Sequence, residues 1–336
     1  KLRGADAVVA VGSGTVNDLC KYVSGLEGRR YCVFGTAASM NGYTSSTASI
    51  TLESGLKVSL PSIAPSGFFV DLGVSSAAPA YLSASGFADC LARSVAQVDW
   101  WFSHRLLGTD YWRAPYMIQD ADEVELNKRA GGLPSGDISS LGYLYRVLTL
   151  CGLGIAFTGV SNHGSMGEHQ ISHYIDCFAG DRHPGTLHGQ QVGVASLTMA
   201  RLQQAMLASD RPPVVKPTAV SRDDMIRRMG KPVAEQCLVE LGHKALDADG
   251  VARMNERLQE IWPALKAELA PFIIPVAEMT RLLRGAGGPV TAAELGVPLP
   301  FYREAVVHCR EMRNRFSFLD IAADAGTLED FAAGEA

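Results

Sequence analysis

Between Ala7 and Val11 the chain reads AVVAV, an unbroken apolar run that stops at the turn GSGTVND, Gly12 to Asp18. A short apolar run closed by turn residues predicts a buried parallel strand. LCKYVSGL continues as a helical segment, and YCVF, Tyr31 to Phe34, reads as the next strand. This order of strand, glycine turn, helix and strand predicts an α/β sheet with its functional turns at the strand C-termini. TASITLESGLKVSL, Thr47 to Leu60, reads as two strands joined at Ser54–Gly55, and GFFVDL, Gly67 to Leu72, as one more apolar strand.

After about Gly73 the strand signals fade and a helical period takes over. Helices are expected over Ser85–Leu107, Ser139–Phe157, Glu168–Phe178, Leu187–Leu207 and Asp249–Leu269. Capping boxes are expected at Ser221-x-x-Asp224 and Thr291-x-x-Glu294. Loops are expected at Gly131–Gly136, Arg211–Pro217 and Gly285–Pro289. The pattern divides the chain into an α/β piece, residues 1–73, and a larger helical domain, residues 74–336.

Composition narrows the class. With 47% hydrophobic and 19% charged residues the chain is globular, and a formal net charge of −5 with no basic block argues against nucleic acid as partner. Seven cysteines are dispersed singly with no CxxC, which fits reduced thiols in the cytoplasm better than a disulfide framework. No apolar run reaches the roughly 18 residues of a bilayer span. The chain starts at Lys1 and enters a strand almost at once, so we expect the natural protein to begin upstream.

Two stretches carry candidate chemistry. In VGSGTVND, Gly12 and Gly14 let backbone approach a pyrophosphate, and the amides of Thr15 and its neighbours at a helix N-terminus supply donors. The third glycine of the G-x-G-x-x-G fingerprint is absent, and a structural turn is the competing reading. GTAAS, Gly35 to Ser39, is a small-residue turn suited to the same crevice. Four of the eight histidines fall in GEHQISHYIDCFAGDRHPGTLHGQQVGV, Gly167 to Val194. On a helix His169 and His173 share a face, and His188 opens the next helix where it could meet them. Asp89, the lone acid of SGFADCLAR, is the best carboxylate to complete a catalytic metal site with one open position. The same spacing also suits a solvent-exposed helix, with Asp89 serving a helix start. His163 and His183 sit among Gly, Pro and Asp and read as loop histidines.

Taken together, VAVGSGTVNDLCKY, TAAS, SGFADCLAR, GEHQISH and LHGQQVGV resemble, in order and context, the sn-glycerol-1-phosphate dehydrogenase family. That family belongs to the superfamily of iron-containing alcohol dehydrogenases, glycerol dehydrogenase and 3-dehydroquinate synthase. The tail ELGVPLPFYREAVVHCREMRNRFSFLDI resembles its last helices, so the likeness spans the chain. It implies a dehydroquinate synthase-like fold: an α/β N-terminal nucleotide-binding domain, incomplete here, and an all-α C-terminal metal-binding domain. Further β–α units, with the residue that contacts the adenosine ribose, are expected ahead of the glycine turn.

The resemblance also implies roles. Asp89, His169 and His188 become metal ligands, with zinc first and nickel or iron as alternatives. His173 becomes a non-ligand that shapes the site or relays protons. Gly12, Ser13, Gly14, Thr15 and Asp18 would hold the pyrophosphate and nicotinamide side of NAD or NADP; Thr36 and Ser39 would line its adenine and ribose side. The implied reaction is reduction of dihydroxyacetone phosphate to sn-glycerol 1-phosphate in a cytoplasmic homodimer. Three substrate-side positions depart from the family: Asn41 stands for an Asp, Arg93 for a Lys, and Asn162 with His163 for an Arg-Pro pair. Arg is the natural partner of phosphate, so its loss weighs against a phosphorylated substrate unless Lys57, Arg93 or another residue takes that part. The departures also motivate two alternatives: a specialised polyol or ketone dehydrogenase or dehydroquinate-synthase-like cyclase acting on another substrate, or a non-catalytic homologue.

Overall fold

The computed structural model describes residues 4–53 and 55–336. The α/β part runs β1 (Ala7–Gly12), α1 (Gly14–Leu26), β2 (Arg30–Gly35), β3 (Thr47–Thr51), β4 (Lys57–Pro61) and β5 (Phe68–Val70). Strands β1, β2 and β5 form a parallel sheet in that order, with Ala10 opposite Val33 and Val33 opposite Phe68. β3 and β4 pair antiparallel, Ser49 opposite Ser59. The hairpin expected over Thr47–Leu60 is therefore present, although Ser54 at its turn lies outside the described residues. Among the described residues β1 pairs with β2 alone; Ala10 is buried, while Val9 and Val11, on the opposite face of the strand, are 61% and 62% exposed.

Helices follow without further strands among the described residues: α2 (Leu72–Ser76), α3 (Ala80–Leu107), α4 (Ala114–Met117), α5 (Asp120–Arg129), α6 (Ile138–Thr158), α7 (Gly167–Phe178) and α8 (His188–Ala208). Beyond them come α9 (Arg222–Met229), α10 (Lys231–Gly242), α11 (Ala248–Leu269), α12 (Val276–Gly285), α13 (Ala292–Leu295), α14 (Leu299–His308), α15 (Phe318–Asp324) and α16 (Leu328–Ala333). The stretch read as a loop at Gly131–Gly136 is a 3-10 turn, Ala130–Ser135, and α12 runs on to Gly285. Ser221 and Thr291 cap their helices through Asp224 N–H and Glu294 N–H. Glu294 reaches back to Val290 N–H instead of closing a box.

α6 corrects another expectation. Its 21 residues are long and apolar enough, by length and composition, to cross a membrane, a property that scattered Ser and Thr hide in a search for unbroken apolar runs. Half of its most apolar window is buried inside the fold, as in a core helix.

The core centres on α3, whose inner positions include Phe87, Leu91, Val95, Val98 and Phe102. Phe102 stacks on Phe318 from α15 at 4.1 Å between ring centroids. Two glycines let backbones meet here. A Cβ on Gly86 would lie 2.1 Å from the Ala38 carbonyl oxygen, and one on Gly189 2.1 Å from that of Ser85. These close approaches bring the segment after β2 and the start of α8 onto the same turn of α3, next to Asp89.

Candidate metal and nucleotide cleft

A cleft of about 510 Å³ separates the glycine turn from the helical part. Ser13, Gly14, Thr15 and Asp18 line one side; Ser39, Asn41, Lys57, Asp89, Ser161, Ser165, His169, His173 and His188 line the rest. Gly12 and Thr36 stand behind the lining, joined by the Thr36 N–H to Gly12 carbonyl bond of 3.2 Å.

Asp89 of α3, His169 of α7 and His188 at the start of α8 offer ligand atoms that all lie within 4.8 Å of one another. His169 Nε2 is 3.4 Å from Asp89 Oδ1. The surroundings set each donor. Asp89 Oδ2 accepts the Asn41 N–H at 2.8 Å, while Oδ1 is buried with no hydrogen-bond partner. Leaving a buried carboxylate oxygen unmatched is costly, so the arrangement calls for a cation. His169 Nδ1 lies 2.8 Å from Glu168 Oε1, which frees Nε2. His188 Nδ1 lies 2.9 Å from Ser172 Oγ; that hydroxyl donates to Gln191 Oε1, so it accepts from Nδ1 and again leaves Nε2 free. A ring whose Nδ1–H is engaged this way presents a basic Nε2 to a metal. The donor set could therefore hold a divalent cation.

Protonation agrees with the geometry. Burial would raise the Asp89 carboxyl, but His169, His188 and the Asn41 N–H hold it below its usual value. Burial works against a charged His169, yet the Asp89 and Glu168 carboxylates hold its pKa above normal. Burial and then the Lys57 charge push His188 down to about 4. His173 is held far below normal by burial, Arg313 and Lys57. Arg313 Nη2 donates to His173 Nδ1 at 2.6 Å, so this neutral ring keeps its proton on Nε2. Its centroid is 5.3 Å from that of His188.

Several expectations move. Arg93 does not line the cleft: its guanidinium is paired with Asp120 and Glu123 and lies 5.2 Å from the Tyr116 ring centroid. Four residues along α3 from Asp89 it shares a face broadly, but two carboxylates hold it elsewhere. Asn162 is also absent from the lining, although Ser161 and Ser165 on either side belong to it. His163 is fully buried in a short 3-10 turn, Nε2 3.0 Å from the Cys151 carbonyl, so it is no exposed loop residue. His183 does stand in a loop, against Asp176. Sequence reasoning assigned nothing to Glu168, Ser172, Arg313 or Arg315. The first two sit inside the GEHQISH motif beside the histidines they touch, and that adjacency was the available signal.

The iron-containing alcohol dehydrogenase family matches residues 1–79. Over 96% of its length the chain is 26% identical to glycerol-1-phosphate dehydrogenase (NAD(P)+) of Bacillus velezensis, covering 71% of that protein. The enzyme of the same name from Methanothermobacter thermautotrophicus is 34% identical over 60% of the chain and 57% of its own length. Among solved structures, glycerol dehydrogenase of Schizosaccharomyces pombe has the same fold, with a TM-score of 0.57, 19% identity, and coverage of 98% of this chain and 71% of that one. Over its first 79 residues the chain is similar to iron-containing alcohol dehydrogenases, and the curated relatives similar to it along most of its length are glycerol-1-phosphate dehydrogenases.

Proposed function

We propose that this chain is a metal-dependent NAD(P)H oxidoreductase that reduces dihydroxyacetone phosphate to sn-glycerol 1-phosphate. The observation that carries the reading is the buried Asp89 Oδ1, without a hydrogen-bond partner and 3.4 Å from His169 Nε2, beside two imidazoles whose Nδ1 atoms are already engaged. The names of the relatives support the substrate and coenzyme. Asp89, His169 and His188 would hold the cation, which we take as zinc from its imidazole and carboxylate donors. When bound, the cation polarises a carbonyl and the nicotinamide supplies hydride.

The chain's own residues do the rest. Ser13, Gly14 and Thr15, at the start of α1, offer backbone donors and the positive helix end to a pyrophosphate. Asp18, already bonded to Ser49 N–H at 3.0 Å, stiffens that turn and borders the nicotinamide side. Ser39 borders the ribose side, with Thr36 behind it. Asn41 fixes Asp89 through its backbone and presents its amide to a substrate hydroxyl. His173 holds a proton on Nε2 inside the cleft, where it can donate to an oxygen that gains charge. We further propose a cytoplasmic homodimer, in keeping with seven free cysteines.

The test is a ketone panel with NADH and NADPH on zinc-loaded protein. Turnover of dihydroxyacetone phosphate is expected. Its absence beside turnover of another ketone would overturn the substrate.

A further inference from the structure

A buried guanidinium normally meets a carboxylate. Arg93, Arg228 and Arg310, with side chains no more than 12% exposed, all do so here. Arg313 and Arg315, in the segment between α14 and α15, do not: among the described residues neither forms an ion pair. Both are half-buried; burial lowers their pKa values, and for Arg315 the Arg313 charge adds to the effect while the Glu168 charge opposes it. Two guanidinium charges that repel each other without an ion pair favour an anion between them.

Neither guanidinium is itself part of the cleft lining, but each holds side chains that are. Arg315 Nη2 donates to Ser161 Oγ at 2.7 Å and Nη1 to Ser165 Oγ at 2.9 Å, and both serines line the cleft. With an acceptor lone pair of each hydroxyl already engaged, the hydroxyl protons are free to be donated inward. Arg313 Nη2 donates to His173 Nδ1 and, at 3.4 Å, to the Lys57 carbonyl. Neither guanidinium uses all five of its N–H donors.

Asp176 takes Lys57 Nζ at 2.6 Å; Glu168 engages Met166 N–H and His169 through Oε1, and its charge offsets part of that of Arg315 without an ion pair. A net positive charge remains on the two arginines. Ser161 and Ser165 flank Asn162, so Arg315 brings a guanidinium from the C-terminal segment to the place where the sequence lacks one.

We propose that Arg313, Arg315 and the hydroxyls of Ser161 and Ser165 form a subsite for a phosphate monoester, one residue, His173, away from the Asp89–His169–His188 cluster. This rests on the reading of the cleft as a ketose phosphate reductase site. A dianion there is held by charge-assisted hydrogen bonds from two planar donors, which a neutral hydroxyl cannot match.

Two measurements on zinc-loaded wild type, Arg315→Met, Arg313→Met and Arg315→Lys test it. One is calorimetric titration with inorganic phosphate. The other is the ratio of kcat/KM for dihydroxyacetone phosphate over dihydroxyacetone. Arg315→Met should weaken phosphate binding and lower the ratio by ~30-fold or more, as for truncation of a buried charged partner, with partial rescue by Arg315→Lys. A purely structural role would lower both kcat/KM values in parallel; an unmoved ratio with unchanged phosphate affinity overturns the subsite while leaving the proposed reaction standing. Phosphate binding that is lost in the variants, in a protein that turns over no phosphorylated ketone, overturns the reaction and keeps the subsite. Should Arg315→Met fail to fold, Arg313→Met and Arg315→Lys carry the same comparison.

Discussion

The α/β part and the helical part treat similar residues in opposite ways. In β1, Val9 and Val11 stand more than half exposed, while in α3 Val95 and Phe102 are 3% and 0% exposed. Among the described residues the parallel sheet has three strands and a small cluster around Ala10, Tyr31, Val33 and Tyr43. The helical core is one continuous cluster running from Ala38 to Ala332. Apolar side chains hold the second region together; in the first, main-chain pairing and a few polar ties hold a turn in place. Lys21 is such a tie. Fully buried on α1, its Nζ donates to the carbonyls of Gly42 and Thr47 at 2.6 and 3.0 Å. We take the difference to mark the candidate metal side of the cleft as its rigid wall and the glycine turn as the side that offers backbone donors.

If that division holds, the largest effect comes from removing a donor on the rigid side. His188→Ala should lose bound zinc and activity together, with kcat/KM down by ~1000-fold or more, on the order seen when a catalytic metal's contribution is removed; elemental analysis alongside kinetics checks both. Next comes packing. Phe102→Ala should cost about 3–5 kcal/mol in chemical denaturation, whereas Val11→Thr should stay within about 0.5 kcal/mol. Equal losses would dissolve the contrast. Glu168→Gln keeps its shape but weakens the hold on His169 Nδ1, so zinc affinity should fall by about 10- to 100-fold in competition with a chelator.

The smallest effect is one of pH. Burial and then the Glu168 charge push the Asp99 carboxyl up to about 8. The unfolded group titrates near ~3.9, so its folded pKa is raised. Stability from this group is then full below about pH 4 and drains as pH rises toward 8. Thermal melts of Asp99→Asn should show a shallower fall in Tm over that window than wild type.

Much of this was legible in the sequence because it is local. The strands around the glycine turn, the helices α3, α6, α7 and α8, and the Asp89, His169 and His188 set all follow from short-range patterns and a motif likeness. What escaped depends on distant partners. Arg93 reads as a cleft residue by its spacing from Asp89, but Asp120 and Glu123, on a helix the sequence reading did not assign, take its charge. Arg315 acts 150 residues away from Ser165, a juxtaposition no local pattern contains.

The central claim is that Asp89, His169 and His188 share one cation facing the glycine turn. Anomalous diffraction at the zinc edge from zinc-loaded crystals measures this directly. A single strong peak within about 2.0–2.2 Å of one Asp89 oxygen and the Nε2 atoms of both histidines is predicted. A peak elsewhere, or none at full zinc loading, would contradict it.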